Sequence, residues 1–234
     1  MFAVTFALPQ ESQDFRHALR HASAVGGDAG SFLLGNIGSE EVLLGHTGVG
    51  PAAAAQNVAA LLAWHRPRLL ISTGFAGGLD PRLATGDLLI ATNFSAPDPV
   101  AKSRAHLDGD RHACFGTLTS QPRPAETVAD KAALAHTTGA LAVDMETASV
   151  AHACALARVP LLAVRAISDT ALEPLPVPFA DWFDVAAQRP RPLALIRYLA
   201  HHPAQISPFA RFVHGLTPAR RAFTRFITRF IARA

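Results

Sequence analysis

Hydrophobic runs of strand length alternate along this chain with longer stretches in which apolar residues recur at helical spacing. This alternation is typical of βαβ units, in which helices cover the faces of a sheet. An α/β fold is therefore predicted. The predicted strands are Phe2–Ala7, Arg68–Thr73, Asp87–Thr92, Leu141–Val143 and Leu161–Ile167, together with a hairpin formed by Ser31–Ile37 and Glu41–Thr47.

Four helices are predicted from the same periodicity, and one of them has a clear start signal, because Pro51 suits the first position of a helix. Residues 94–126 contain four prolines, which interrupt long elements, so this stretch is predicted to be mostly loop. The predicted helices are Ser12–Ala22, Pro51–Trp64, Glu146–Arg158, and a final core helix Trp182–Leu199 that is interrupted near Pro190 and Pro192.

The last part of the chain has a different character and is assigned to a separate segment, 201–234, that follows a domain spanning 1–200. Its apolar residues recur at i, i+3, i+4, i+7 and i+8, while arginines occupy another face, so it is a basic amphipathic helix. Two interpretations stay open: a helix docked on the core or on a second subunit, and a helix of 211–234 lying in an anionic membrane surface. The apolar stripe consists of Phe223, Phe226, Ile227, Phe230 and Ile231.

Composition narrows the class of protein. With 234 residues, 50% hydrophobic and 17% charged, the chain is too apolar for a disordered protein and long enough for a full core. Two cysteines give no disulfide framework, and there is neither an apolar run long enough to span a membrane nor a signal peptide, so a cytoplasmic domain is expected. The net charge of +3 arises in residues 211–234, which hold six Arg and no Asp or Glu, so nucleic acid is not an expected partner.

A glycine turn between a predicted strand and helix is the first candidate for chemistry. Gly48 and Gly50 precede Pro51, so backbone N–H groups and the positive end of the helix could bind an anion or a ribosyl oxygen. A dinucleotide site would also need an acidic residue about 20 positions later, and a P-loop would need a Gly-Lys-Ser/Thr step. Both are missing, which disfavours a dinucleotide-dependent oxidoreductase and excludes a P-loop.

Three carboxylates lie where predicted strands end or helices begin, which is where open α/β sheets bind ligands. They are Glu11, Glu146 and Asp169. Each also has a purely local interpretation, as a helix-start charge or a turn cap. Position alone leaves both interpretations open.

The order of five motifs resembles the purine/uridine nucleoside phosphorylase superfamily, and within it the 5'-methylthioadenosine/S-adenosylhomocysteine nucleosidases. The resemblance covers about residues 1–200. It implies a three-layer α/β/α fold with a central twisted mixed sheet, a homodimer or larger homo-oligomer, and cleavage of an N-glycosidic bond. The matching motifs are Thr47–Gly50, Ser72–Leu79, Gly86–Asp87, Val143–Ala148 and Val164–Asp169.

The resemblance also implies roles for individual residues. Asp169 matches the acid that protonates or hydrogen-bonds N7 of the departing purine, and Glu11 matches the glutamate that activates water. Met145 and Glu146 match the pair that binds the ribosyl group, and Phe179 matches an aromatic residue of the base or 5'-substituent pocket. The glycine-rich motifs add four substrate-binding candidates, Phe75, Gly77, Gly48 and Gly50.

These roles imply opposite protonation states for two carboxyl groups. Breaking an N-ribosidic bond passes through an oxocarbenium-like sugar, so the enzyme must neutralise the leaving base and orient the nucleophile. As a general acid, Asp169 is expected to be protonated, with a pKa raised by burial. Glu11 is expected to be ionised.

Departures from the family pattern keep other functions open. Ser72 and Phe75 stand where hexameric phosphorylases hold phosphate with Arg and Ser, so water is favoured over phosphate, which stays a candidate co-substrate. No metal or organic cofactor is implied. The middle part of the chain is shorter than in the nucleosidases, and Thr119–Pro122 stand where those enzymes have an adenine clamp. This short middle part and the basic tail resemble the hopanoid-associated phosphorylases, which implies removal of adenine from an adenosyl-lipid at a membrane. A non-catalytic nucleoside-binding module is a third alternative.

Overall fold

The computed structural model describes residues 1–26 and 32–233. Ser31, the first residue of the predicted hairpin, lies outside them. The strands are β1 (Phe2–Phe6), β2 (Arg20–Val25), β3 (Phe32–Ile37), β4 (Glu40–His46), β5 (Leu70–Gly78), β6 (Leu88–Ala91), β7 (Ala113–Gly116), β8 (Leu118–Ser120), β9 (Ala142–Asp144), β10 (Leu161–Asp169), β11 (Phe183–Asp184) and β12 (Arg189–Pro190). The helices are α1 (Gln13–Ala18), α2 (Pro51–Trp64), α3 (Pro97–His106), α4 (Val128–Thr138), α5 (Thr147–Ala157), α6 (Phe179–Trp182), α7 (Pro192–His201) and α8 (Ile206–Ala232).

Ten of the strands form one mixed sheet. Its main order is β2-β3-β4-β1-β5-β10-β6-β7, and β9 joins β5 to β8. The central strands β4, β1, β5 and β10 are parallel neighbours, whereas β6 runs antiparallel to β10 and β9 antiparallel to β5. Since β1, β5 and β10 run the same way, their carboxyl ends meet at one edge. The predicted mixed sheet is confirmed.

Helices cover both faces of the sheet, which gives the predicted three layers. Strand β1 shows how one sequence serves both faces, because successive side chains of a strand point to opposite sides. Phe2, Val4 and Phe6 belong to the core beneath α1 and α8, while Ala3 belongs to the core beneath α2 and α5. All five residues of this strand are buried.

Two sequence predictions near the chain start and middle are wrong in part. The helix predicted at Ser12–Ala22 ends at Ala18, and the following residues form the edge strand β2, which pairs with β3. Residues 94–126, predicted to be mostly loop, contain α3, β7 and β8. Pro97 begins α3 in its first turn, where a missing N–H costs no hydrogen bond, so these prolines start a helix rather than prevent one.

The predicted core helix Trp182–Leu199 is also wrong. Residues 183–190 form the small β11–β12 pair, and the following helix α7 has no buried residue. The helical periodicity of this stretch reflects an amphipathic helix whose apolar side chains Leu193 and Ile196 are 81% and 63% exposed.

Helix α8 packs into the main core through its second half. The five apolar residues of its stripe, from Phe223 to Ile231, are all buried in the same cluster as the side chains of β1 and β10. The boundary predicted at residue 200 stays a prediction, whereas the proposed insertion of this stripe into a membrane is wrong because the stripe is buried against the sheet. Among the described helices, none has the length and apolar character of a membrane span.

Replacing Phe223 tests whether the sheet depends on α8. The Phe223→Ala variant is expected to lose about 3–5 kcal/mol of unfolding free energy, because it empties a fully buried site between β1 and β5 side chains. Urea unfolding followed by circular dichroism measures it. The exposed Arg225→Ala on the same helix serves as control and should change stability by less than about 0.5 kcal/mol. Equal stabilities of the two variants would contradict the docking of α8.

Candidate active site

A cavity of about 530 Å³ opens at the carboxyl ends of β1, β5 and β10. This volume lies within the range of small-molecule sites, and such sites in α/β sheets form at this edge. The cavity brings together seven of the nine sequence-predicted site residues: Glu11, Phe75, Gly77, Met145, Glu146, Asp169 and Phe179.

A buried arginine ties three of the strands that frame this cavity. Arg165 on β10 is 3% exposed, and its Nε donates to Asp144 Oδ2 at 2.9 Å. Its Nη1 donates to the carbonyl of Ser72 on β5 at 2.9 Å, and its Nη2 donates to Thr147 Oγ1 at 2.6 Å. Asp144 also accepts hydrogen bonds from Ser120 Oγ and from the hydroxyl of Thr147. Four of the five hydrogen bonds of the guanidinium therefore go to groups outside β10.

Glu11 lies just after β1, where the chain turns back toward the sheet. Its Oε2 accepts the backbone N–H of Ala7 at 3.0 Å, and a side chain at Gly74 would begin only 3.0 Å from the same oxygen. Burial raises the pKa of Glu11 to about 7, although the Ala7 N–H and the charge of Arg165 act against the shift. With this pKa, Glu11 gains or loses a proton near neutral pH, and its predicted ionised state as the base stays a prediction.

Glu146 and the glycine turn are joined by a hydrogen bond. Glu146 Oε1 accepts the N–H of Gly50 at 2.7 Å, and burial together with the charge of Asp144 raises the pKa of Glu146 to about 8. Gln188 accepts the N–H of Val49 at 2.7 Å, and Ala7 accepts the N–H of Gly48 at 3.0 Å. The three N–H groups predicted to hold an anion thus donate to partners within the chain, and Gly48 and Gly50 lie behind the cavity wall.

Asp169 ends β10 opposite Gly77 of β5, after a register shift that follows Ile167. A Cβ at Gly77 would lie 3.2 Å from Asp169 Oδ2, so the glycine leaves room for the carboxylate. Oδ2 accepts a hydrogen bond from Lys131, whose side chain is fully buried, and Ser168 Oγ lies 2.6 Å from Oδ1. The role of Asp169 as a general acid stays a prediction, and the structure adds a buried ammonium group beside its carboxyl group.

The rest of the cavity wall is mostly apolar. Phe179 packs edge-on against Trp182, with their ring centroids 4.7 Å apart, and its backbone N–H donates to Glu126 Oε1 at 2.8 Å. Helix α8 completes the wall with Phe212 and Leu216, and with Arg220, which is paired with Asp14. The cavity therefore suits a ligand with a large apolar part.

A second, much smaller space of about 20 Å³ lies behind Glu11. Its lining includes Ser72, Arg165 and two buried hydroxyls, Thr5 Oγ1 and Thr73 Oγ1, which have no hydrogen-bond partner among the described residues. A polar space of this size accommodates one water molecule.

Several residues of the site carry no signal in the sequence. Lys131 is a single lysine in an alanine-rich helix and Trp182 lies in a mispredicted element, so neither stands out. Arg165 lies inside a matching motif, yet only the fold reveals its five hydrogen bonds. Within residues 1–26 and 32–233, no three His, Cys, Asp or Glu side chains group as a metal site would require.

Comparison with known proteins identifies relatives of this chain. The family model described as the phosphorylase superfamily matches residues 2–106 and 95–200. A 5'-methylthioadenosine/S-adenosylhomocysteine nucleosidase from Actinobacillus succinogenes is 29% identical over 182 residues, which are 66% of this chain and 79% of the relative.

Solved structures share the fold at lower identity. A nucleosidase of the same name from S. pneumoniae, bound to a transition-state inhibitor, superposes with a TM-score of 0.76 at 23% identity and covers 99% of this chain and 98% of its own. The futalosine hydrolase of Helicobacter pylori gives a TM-score of 0.75 at 17% identity, covering 100% and 97%.

The raised pKa of Glu11 predicts a pH-dependent stability difference. Between pH 4.5 and about 7, the carboxyl group of Glu11 keeps its proton in the folded state but loses it in the unfolded state. The resulting stabilisation of the folded state is therefore complete below pH 4.5 and is lost as the pH rises through 7. Between pH 5 and pH 8, wild type should therefore lose about 2 kcal/mol relative to Glu11→Gln, whose side chain cannot ionise. Urea unfolding at both pH values measures this difference, and other groups cancel in the comparison.

The exposed Glu41→Gln provides the matched control, since its carboxyl group faces solvent on β4. Its stability should follow that of wild type at both pH values. A Glu11→Gln variant that did the same would show that Glu11 ionises at its ordinary pKa in the folded chain.

Proposed function

The chain belongs to the phosphorylase superfamily and is an enzyme of N-glycosyl bonds, and we propose that it hydrolyses the bond between a purine and a 5'-substituted ribose. The observation that carries this proposal is the convergence of two carboxyl groups in different environments on one apolar cavity. Glu11 adjoins a space for one water, and Asp169 adjoins a buried ammonium. Glu11 acts on the nucleophile, and Asp169 acts on the leaving base.

In this reaction the electrons of the C1'–N9 bond pass to the purine as the bond breaks. N7 of the purine takes a proton from Asp169, whose Oδ2 also accepts a hydrogen bond from Lys131. The water oxygen bonds to C1', and its proton passes to Glu11. A base with a pKa of about 7 suits this role, because it accepts a proton readily yet releases it again near neutral pH.

Two neighbouring residues are proposed to hold the sugar. Glu146 lies beside the cavity with one oxygen fixed by Gly50, which leaves its other oxygen for ribose hydroxyls. Met145 lines the same wall and offers an apolar surface to the ribose ring. Phe179 and Phe75 then enclose the base and the 5'-substituent.

Water is the proposed nucleophile because the space beside Glu11 suits it and does not suit phosphate. The small chamber of about 20 Å³ holds one water, whereas phosphate has five heavy atoms. The N–H groups of the Gly48–Gly50 turn, the other candidate phosphate site, already donate to Ala7, Gln188 and Glu146.

Product analysis tests the proposal directly. Incubation with 5'-methylthioadenosine, S-adenosylhomocysteine, 5'-deoxyadenosine, inosine and uridine, with and without phosphate, should release free base and free sugar at a rate independent of phosphate. Chromatography separates the products. Formation of ribose 1-phosphate would overturn hydrolysis, and no release from any nucleoside would favour a non-catalytic binding module.

The Asp169→Asn variant links this activity to the site. It should lower turnover by about 10²- to 10⁴-fold, the usual contribution of a positioned acid, while its circular dichroism spectrum stays unchanged. Near-normal turnover would remove Asp169 from the mechanism.

A second candidate function is the removal of adenine from an adenosyl-lipid at a membrane surface. It is supported by four exposed apolar side chains that do not belong to the buried stripe of α8: Leu193 and Ile196 on α7, and Ile206 and Val213 on α8. Val213 adjoins Phe212, which lines the cavity. Residues 189–234 contain nine Arg and no Asp or Glu, so these four side chains lie in a stretch of chain that favours anionic lipid headgroups.

Vesicle binding tests this second candidate. The full chain should sediment with vesicles of phosphatidylglycerol and phosphatidylcholine at low salt, and the double variant Leu193→Asp/Ile196→Asp should not. Leu156→Asp is the matched control, because Leu156 is 74% exposed on α5 but lies outside the basic stretch. Failure of the wild-type chain to sediment would exclude membrane contact.

A further inference from the structure

A proline-rich stretch that follows β10 forms one wall of the cavity. Residues 174–179, here called the proline wall, read Pro-Leu-Pro-Val-Pro-Phe. The side chains of Leu175 and Phe179 line the cavity. Each proline fixes its own φ angle and restricts the backbone of the residue before it. The proline wall is therefore stiff, and its position depends on the few points at which it is attached to the rest of the chain.

The attachment of the proline wall is provided by Glu126. Proline has no N–H group, so only Leu175, Val177 and Phe179 can donate a backbone hydrogen bond from this stretch. The carbonyl oxygen of Glu126 accepts the N–H of Leu175 at 2.8 Å, and Glu126 Oε1 accepts the N–H of Phe179 at 2.8 Å. Both donors belong to the residues that line the cavity. One residue thus holds the proline wall at both of its lining positions.

Glu126 is itself held by its neighbours in sequence. On one side, Ala125 is buried in a core cluster that includes Val143 of β9. On the other side, Thr127 Oγ1 accepts the N–H of Asp130 at 3.0 Å, and Asp130 Oδ2 accepts the N–H of Thr127 at 3.1 Å. This reciprocal cap fixes the first turn of α4. Glu126 is therefore a rigid point of attachment.

The residues between Asp169 and the proline wall are attached to α4 by a different side chain. Lys131 Nζ donates to the carbonyl of Thr170 at 2.7 Å and to the carbonyl of Glu173 at 2.6 Å, and it also donates to Asp169 Oδ2. A change at Lys131 would therefore disturb Asp169 together with the loop. A change at Glu126 leaves these three hydrogen bonds in place and acts on the proline wall alone.

We propose that Glu126 is a positioning residue that places the proline wall in contact with an apolar 5'-substituent. The inference rests on the proposed function, in which Glu146 and Asp169 bind the polar ribose and purine edges, so that the apolar 5'-substituent meets the apolar wall. Among the described residues, those that line the cavity do not include Glu126. It acts on the substrate through Leu175 and Phe179.

Kinetics with two nucleosides test this role. In Glu126→Ala, the KM for 5'-methylthioadenosine should rise about tenfold, the equivalent of one hydrogen bond, while kcat stays within about twofold. The KM for adenosine, whose 5'-substituent is a hydroxyl group, should change less than about threefold. Glu126→Gln should behave as wild type, because its amide oxygen can still accept the N–H of Phe179. A residue that only stabilised the fold would affect both nucleosides alike.

Amide hydrogen exchange tests the attachment without catalysis. In Glu126→Ala, the Phe179 amide should lose about tenfold of its protection. The Leu175 amide should keep its protection, because its acceptor is a backbone carbonyl that alanine retains. Glu173→Ala is the matched control, since it removes a carboxyl group from the same loop but keeps the carbonyl that Lys131 binds. It should leave both KM values and the protection of Phe179 unchanged.

Three outcomes separate this inference from the proposed hydrolysis. An unchanged ratio of the two KM values in Glu126→Ala, or unchanged protection of Phe179, would overturn the role of Glu126. If wild type cleaves neither nucleoside, calorimetry gives the same ratio from the dissociation constants of the uncleaved compounds. A preference for 5'-methylthioadenosine that falls about tenfold in Glu126→Ala would then support the role of Glu126 and defeat the hydrolysis alone.

Discussion

The hydrogen-bonded guanidinium of Arg165 is the interaction on which the cavity depends. A buried charge is tolerated only when carboxylates and polar atoms surround it, and here they come from β5, from Asp144 at the end of β9 and from the first turn of α5. The same network therefore fixes the three segments that carry Ser72, Asp144 and Thr147. Glu146 lies between Asp144 and Thr147, so its position follows from the network as well.

The cavity gives its carboxyl groups different properties although they share one wall. Glu11 and Glu146 are buried with few compensating partners, and burial raises the pKa of each. Asp169 is buried to a similar degree but has its own ammonium. The local environment rather than the residue type therefore distinguishes these carboxyl groups.

Helix α8 links the stability of the chain to the shape of its site. The second half of the helix fills the core against β1 and β5 through Phe223, while the first half contributes Phe212 and Leu216 to the cavity wall. A single helix therefore couples the size of the pocket to the packing of the sheet. Changes that enlarge or reduce the pocket at this wall must preserve the buried half of the helix.

The sequence by itself determined the α/β class, the strands β1, β6 and β10, the helix at Pro51–Trp64 and the five motifs, two of which contain Glu146 and Asp169. These features are local, because periodicity, a proline at a helix start and short motifs are readable within a few residues. The tertiary structure alone decided that Lys131 meets Asp169 across 38 positions and that the C-terminal stripe faces the sheet rather than a membrane. Both depend on contacts between distant segments, and neither a lone lysine nor an amphipathic stripe specifies the partner that will cover it.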